Sequence, residues 1–289
     1  MPWKDLDGSF GPWAAVDFTS PTDGIVVGLG QVKTTTTGGA SWNEIDPGTS
    51  VQLRDVSATG GQAWAVGDDG VIITTTIVPV TGTVTPQTSG TSENLAGVHF
   101  FDALHGWAVG TNGTILATTD GGLTWVPQAN PDPGLYDLLD VNFFNASDGW
   151  IVGRNGTILA TTDGGVTWVL QDSGTTALLF AVKFASALIG FAVGEDGTIL
   201  STINGGTTPW VPQNSGTTTA VLLDVDFVDP NTGWVVGSED TILATTNGGL
   251  TWLPQLDPGA SPATENLFGV KFPPAYTGYA VGSRAIKYS

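Results

Sequence analysis

The chain has no cysteine, one methionine, two histidines and only 8 lysines and arginines in 289 residues. The missing cysteines exclude disulfides, cysteine-ligated zinc and thiol catalysis, and they leave the redox compartment open. Against 27 aspartates and glutamates, the few basic residues leave a formal charge of −19. A nucleic-acid binder must neutralise phosphates and a peripheral membrane protein must meet anionic lipid, so neither nucleic acid nor a membrane is an expected partner. Charged residues of both signs make up only 12% of the chain, too few for a dense acidic coat. The acidity serves solubility, or at most a basic partner. No apolar run is long enough to span a bilayer, and no signal peptide or lipid-anchor cysteine precedes the first repeat. That points to a trimmed mature form or to a protein that leaves its cell by another route, and so to an extracytoplasmic or virion setting.

What the chain does have is glycine, 41 of them, and one phrase used seven times: a short apolar run closing on Val-Gly, at Gly28, Gly67, Gly110, Gly153, Gly194, Gly237 and Gly282. The intervals are 39, 43, 43, 41, 43 and 45 residues. A period in the low forties with strand-type sequence is the length of one four-stranded propeller blade. The third repeat shows the grammar. Leu95 to Phe100 alternates as strand A, Trp107 to Val109 is strand B, and Asn112-Gly113 makes a tight turn whose central residues need positive φ. Thr114 to Thr118 is strand C, and Thr124 to Gln128 is strand D.

The last repeat supplies strands A (Leu267 to Phe272), B (Tyr279 to Val281) and C (Ala285 to Tyr288) and then stops, while Trp3-Lys4-Asp5-Leu6 fits the missing strand D. The expectation is one all-β domain over 1–289: a seven-bladed propeller of four antiparallel strands per blade, its seventh blade closed three-plus-one by the amino-terminal strand. Such closure leaves no sheet edge open to other chains.

The turn between strands C and D carries the most specific motif. Asp120 with Trp125 and Asp163 with Trp168 sit at fixed offsets around Gly-Gly, and Asn204 with Trp210 and Asn247 with Trp252 follow the same pattern. A carboxylate or amide heading a Gly-Gly turn accepts backbone N–H bonds and the tryptophan packs between blades, so these eight residues read as structural. The run from Gly106 to Trp125, GWAVGTNGTILATTDGGLTW, resembles the repeat of the photosystem II stability/assembly factor family, seven-bladed propellers within the wider Asp-box, or bacterial neuraminidase repeat, group. The resemblance implies a non-catalytic scaffold that binds another protein.

No catalytic residue, metal site or cofactor is expected. A sialidase-like glycoside hydrolase is the enzyme alternative, but a two-carboxylate mechanism needs an acid and a partner at fixed separation, and the candidate carboxylates here sit in B-to-C turns, where such groups are usually solvated. His99 and His105 lack the acidic or thiol company a metal needs. Turns between strands B and C share a face with the D-to-A connections, and loops on such faces carry function more often than strands. The candidate binding residues are therefore Asp68, Asp69, Tyr136, Arg154, Glu195, Asp196, Glu239, Asp240 and Arg284, for a protein or a glycan. A second set, Asp17, Ser57, His99, Asn142, Lys183, Asp226 and Lys271, follows the buried valine of each strand A and is expected to line a hydrated central channel. The competing settings are a cell-envelope assembly or adhesion factor and an appendage of a virus particle.

Overall fold

A computed structural model describes residues 4–5, 12–77, 83–132, 134, 136–255, 265–273, 277–283 and 286–288. Six sheets are each built from four consecutive antiparallel strands: blade one spans 13–45, two 53–87, three 95–127, four 138–170, five 179–213 and six 222–254. The remaining sheet is composite. Leu267–Lys271, Tyr279–Gly282 and Ile286–Tyr288 pair in order, and Lys4–Asp5 adds the outer strand through Lys4 against Tyr288 and Asp5 against Lys287. The seven-bladed expectation is corrected in its count of complete blades, while the expected three-plus-one pairing of the terminal strands is present. Six blades are contiguous units, and the last sheet is assembled from both ends of the sequence with a two-residue outer strand. Trp3, Leu6, Arg284 and Ala285 lie outside the described residues.

Strand A runs innermost in every sheet, and each blade packs its strand A against strands A and B of its neighbours. The joints are aromatic. Trp107 on strand B of blade three lies flat on Phe143 of blade four with ring centroids 3.4 Å apart, and Trp64 on Phe100, Trp150 on Phe184 and Trp234 on Phe272 repeat the contact. Phe191 stacks on Phe227 between blades five and six, and Tyr279 of the composite sheet stacks on Phe18 of blade one. Between blades one and two, Ile25 and Ala58 hold those places within an aliphatic cluster that includes Ile77.

The Val-Gly phrase has a steric cause. Strand A is bulged near its start, as between Leu95 and Gly97, and the bulge presses the preceding carbonyl onto the end of strand B. A Cβ on Gly110 would meet the carbonyl oxygen of Asn94 at 2.0 Å, and one on Gly194 would meet that of Leu178 at 2.1 Å. No side chain can occupy that space, so the glycine recurs with the fold. The turn that follows, Thr111–Gly113, places Asn112 at φ 53° and Gly113 at φ 67°, the left-handed region that favours these two residue types.

Candidate functional site

Strand A carries two rings of polar side chains where the blades meet. The inner one is the set read from the sequence. Lys183 forms an ion pair with Asp226 at 3.0 Å, and Lys271 one with Asp17 at 2.8 Å. Four of the blade joints are tied by hydrogen bonds from this ring. Asp17 accepts the N–H of Ala58, Ser57 that of Phe100, Asn142 that of Phe184 and Asp226 that of Phe272, at 2.7 to 3.0 Å. Lys183 and then Lys271 hold the Asp226 carboxyl below its ordinary range against the effect of burial. His99 is pushed down to about 3, first by burial and then by the charges of Lys183 and Lys271, and its buried Nδ1 has no hydrogen-bond partner.

The second ring, one step toward the B-to-C face, escaped the sequence reading. Asp55, Asp140 and Asp224 stand two residues before Ser57, Asn142 and Asp226, on blades two, four and six. Each carboxylate accepts two backbone N–H groups, one from the next residue of its own strand and one across the blade joint: Asp55 those of Val56 and Val98, Asp140 those of Val141 and Val182, Asp224 those of Val225 and Val270, all at 2.7 or 2.8 Å. Three side chains thus satisfy six strand-A donors that the bulges leave unpaired. The intervening sheets carry Gly97, Ala181 and Gly269 in the same register; a Cβ on Gly97 would come within 2.8 Å of Asp140 Cα. Burial is the largest cause raising all three, and their mutual charges add to it: Asp55 is raised to about 8, Asp140 and Asp224 to about 7. The signal was present as LRDV, LLDV and LLDV against LAGV, LFAV and LFGV, two residues before the inner ring and on the same strand face, but only one position of each strand was taken from the sequence.

These carboxylates lie under a mouth of about 610 Å³. Leu139, Phe180, Leu223 and Phe268 line it alongside Arg54 and Trp13. Arg54 is held by Asp68 at the edge.

The proposed B-to-C residues are spread around the ring and do not converge. Arg154 donates from Nε to Asp137 at 2.8 Å, Glu195 accepts the N–H of Leu178, and Asp240 accepts that of Glu265. Asp69, Asp196 and Glu239 are exposed at the turn tips with φ between 54° and 57°. Tyr136, 39% exposed, borders a groove with Asn155 and Asp172, whereas Asp196 borders another. Among the described residues, no group of three or more His, Cys, Asp or Glu is placed to hold a metal ion, and no helix is long and apolar enough to cross a membrane.

On the opposite face the Gly-Gly turns form a latch. Asp120 accepts the N–H and hydroxyl of Thr124 at 2.9 and 2.6 Å, while the Thr118 hydroxyl takes the N–H of Gly122. Asp163 repeats this, and Asn247 accepts the N–H of Thr251 while its amide donates to that residue's hydroxyl; Asn204 donates to Thr208. The previous blade grips the turn: Trp64 and Gln87 both donate to the Gly121 carbonyl, and Gln87 accepts from Trp125. Gln128 accepts from Trp168 and Gln171 from Trp210 in the same way. These glutamines were also missed; their signal is the recurring Pro-Gln that closes strand D.

The latch fails between blades five and six. Gln213 turns its amide to the Ser201 hydroxyl, where the other blades carry Ala117, Ala160 and Ala244, and the buried Trp252 Nε1 has no partner. Ser201→Ala should free Gln213 to accept from Trp252 and gain about 1 kcal/mol, the worth of satisfying one buried donor. Urea denaturation checks it: a midpoint at or below that of the parent protein would contradict the latch.

A family model described as "Photosynthesis system II assembly factor YCF48" matches residues 84–169 and 207–287, together more than half of the chain. Among solved structures, YCF48 from Cyanidioschyzon merolae superposes with a TM-score of 0.80 at 19% identity, covering 100% of this chain and 98% of that one. A YCF48 bound to a D1 peptide gives 0.81 at 18% identity, covering 100% and 94%. The WD40 repeats of RRP9 give 0.84 at 8% identity, covering 99% and 96%, a likeness of fold alone. No curated protein matches the chain.

Proposed function

Because the chain belongs to the photosynthesis system II assembly factor YCF48 family, we propose that it serves as an assembly factor, holding a segment of a partner protein on its B-to-C face in an extracytoplasmic compartment. It is a non-catalytic propeller for protein–protein interaction. The family match carries the assembly reading and weighs against an appendage of a virus particle. The face is favoured because its turns project exposed side chains, among them Asp69, Tyr136, Arg154 and Asp196, from strands locked by blade-to-blade bonds. Arg284 belongs to the same proposal by sequence position.

Site-specific photocrosslinking in the native host tests it. Probes at Asp69, Tyr136 and Asp196 should trap the same partner protein, and a probe at the opposite face, at Leu123, should not. Trapping only from Leu123 would move the interface. Recovery of glycans in place of a protein would replace the reading with sugar recognition.

A further inference from the structure

The channel mouth combines features that the fold does not require together. Its floor holds the three carboxylates of Asp55, Asp140 and Asp224, none of which has an ion-pair partner among the described residues. Each has its two hydrogen bonds from backbone N–H groups, which satisfy its oxygens without supplying a positive charge. The cations nearest in the fold are already committed: Lys183 to Asp226, Lys271 to Asp17 and Arg54 to Asp68. Above the floor stand Leu139, Phe180, Leu223 and Phe268, of which Phe268 is 38% exposed. A cavity of about 610 Å³ falls in the range that seats small ligands and anchoring side chains.

We propose that the mouth is a docking pocket for a basic side chain of a partner peptide, an arginine or lysine flanked by apolar residues, with the charge over the three aspartates and the flanks on the apolar rim. This deepens the partner-recognition reading above and rests on it. The methylene stem of such a side chain matches the apolar wall while its head reaches the acid floor. Opposite charge in a partly enclosed site is worth more than on an open surface. A compact divalent ion is a poor fit, since the carboxylates are not grouped for metal ligation; a side chain approaching along the channel axis is not bound by that geometry.

The test uses the full chain at pH 8.5 and two capped tripeptides, acetyl-Leu-Arg-Leu-amide and its citrulline counterpart, which keeps shape and hydrogen bonding but removes the charge. Calorimetry should show the arginine peptide binding at least tenfold tighter, with ¹³C-methyl shifts at Leu139 and Leu223. Asp140→Asn, which keeps one acceptor oxygen, should reduce the preference severalfold, and Leu223→Ser should weaken both peptides. Equal affinity for the two peptides, or shifts confined to residues outside the mouth, would overturn the proposal. If Asp140→Asn does not fold, the comparison of the two peptides on the parent protein decides alone. Partner crosslinking at the B-to-C turns without any peptide binding would remove this pocket and leave the scaffold reading standing.

Discussion

Replacing Trp107 with alanine should destabilise the protein by about 3–5 kcal/mol, the cost of emptying a well-packed aromatic site. The ring is 3% exposed, lies on Phe143 of the next blade with centroids 3.4 Å apart, and shares a cluster with Trp168, whose edge meets the same phenylalanine at 5.8 Å. Its Nε1 also donates to the Gly164 carbonyl at 3.1 Å, so truncation removes the grip on the following turn as well. A loss of that size is a large share of the 5–15 kcal/mol that holds a typical domain together. Tyr279→Phe is the control at the ring closure. It keeps the stack on Phe18 and removes only the hydroxyl's bond to the Gly38 carbonyl, at 2.9 Å, for a cost of about 1 kcal/mol. Urea denaturation followed by tryptophan fluorescence reads both. A Trp107→Ala loss no larger than that of Tyr279→Phe would show that the blade joints are not where the stability lies.

The same joints mark how far sequence reasoning reaches. The Val-Gly phrase was legible because a steric requirement, the carbonyl pressed onto Gly110, repeats with every blade and leaves no choice of residue. Asp120 and its counterparts were legible because their partners, Thr118 and Thr124, lie within four residues along the chain. Gln87 was not, since its partners Gly121 and Trp125 are 34 and 38 residues away and only the ring brings them together. Asp55, Asp140 and Asp224 were missed for a related reason. Alternation puts each on the same strand face as the inner-ring residue two positions on, but its cross-joint partner, Val98, Val182 or Val270, lies 43, 42 or 46 residues away and only the ring brings them together. Blade count met a similar limit: the repeat predicted seven blades, the last shared between the two ends of the sequence, whereas six sheets are contiguous blades and the shared one has an outer strand only two residues long.

Stability should fall as pH rises from 6.5 to 8, the reverse of what an acidic protein with ion-paired carboxylates would show. In the unfolded chain Asp55, Asp140 and Asp224 lose their protons near the ordinary value of 3.8, whereas burial holds them protonated up to about 8, 7 and 7 in the folded state. Between those limits the folded protein binds more protons than the unfolded one, so raising the pH favours unfolding, by about 1.4 kcal/mol per pH unit for each proton retained. His99 acts in the opposite sense: depressed to about 3, it refuses a proton that the unfolded chain accepts below the ordinary value of 6.5. Its contribution offsets part of the slope at lower pH and fades as the pH rises through 6.5. Asp226, lowered by Lys183 and Lys271, loses its contribution only in acid, and Lys271, raised by Asp17 and Asp226 against the effect of burial, only in strong base. Urea midpoints at constant ionic strength should therefore drop steadily across the window, and Asp55→Asn should flatten the decline; a midpoint that holds or rises would mean the channel carboxylates ionise freely. A basic side chain seated over the three aspartates would favour their charged forms, so the arginine tripeptide should flatten the same decline while its citrulline counterpart leaves it unchanged.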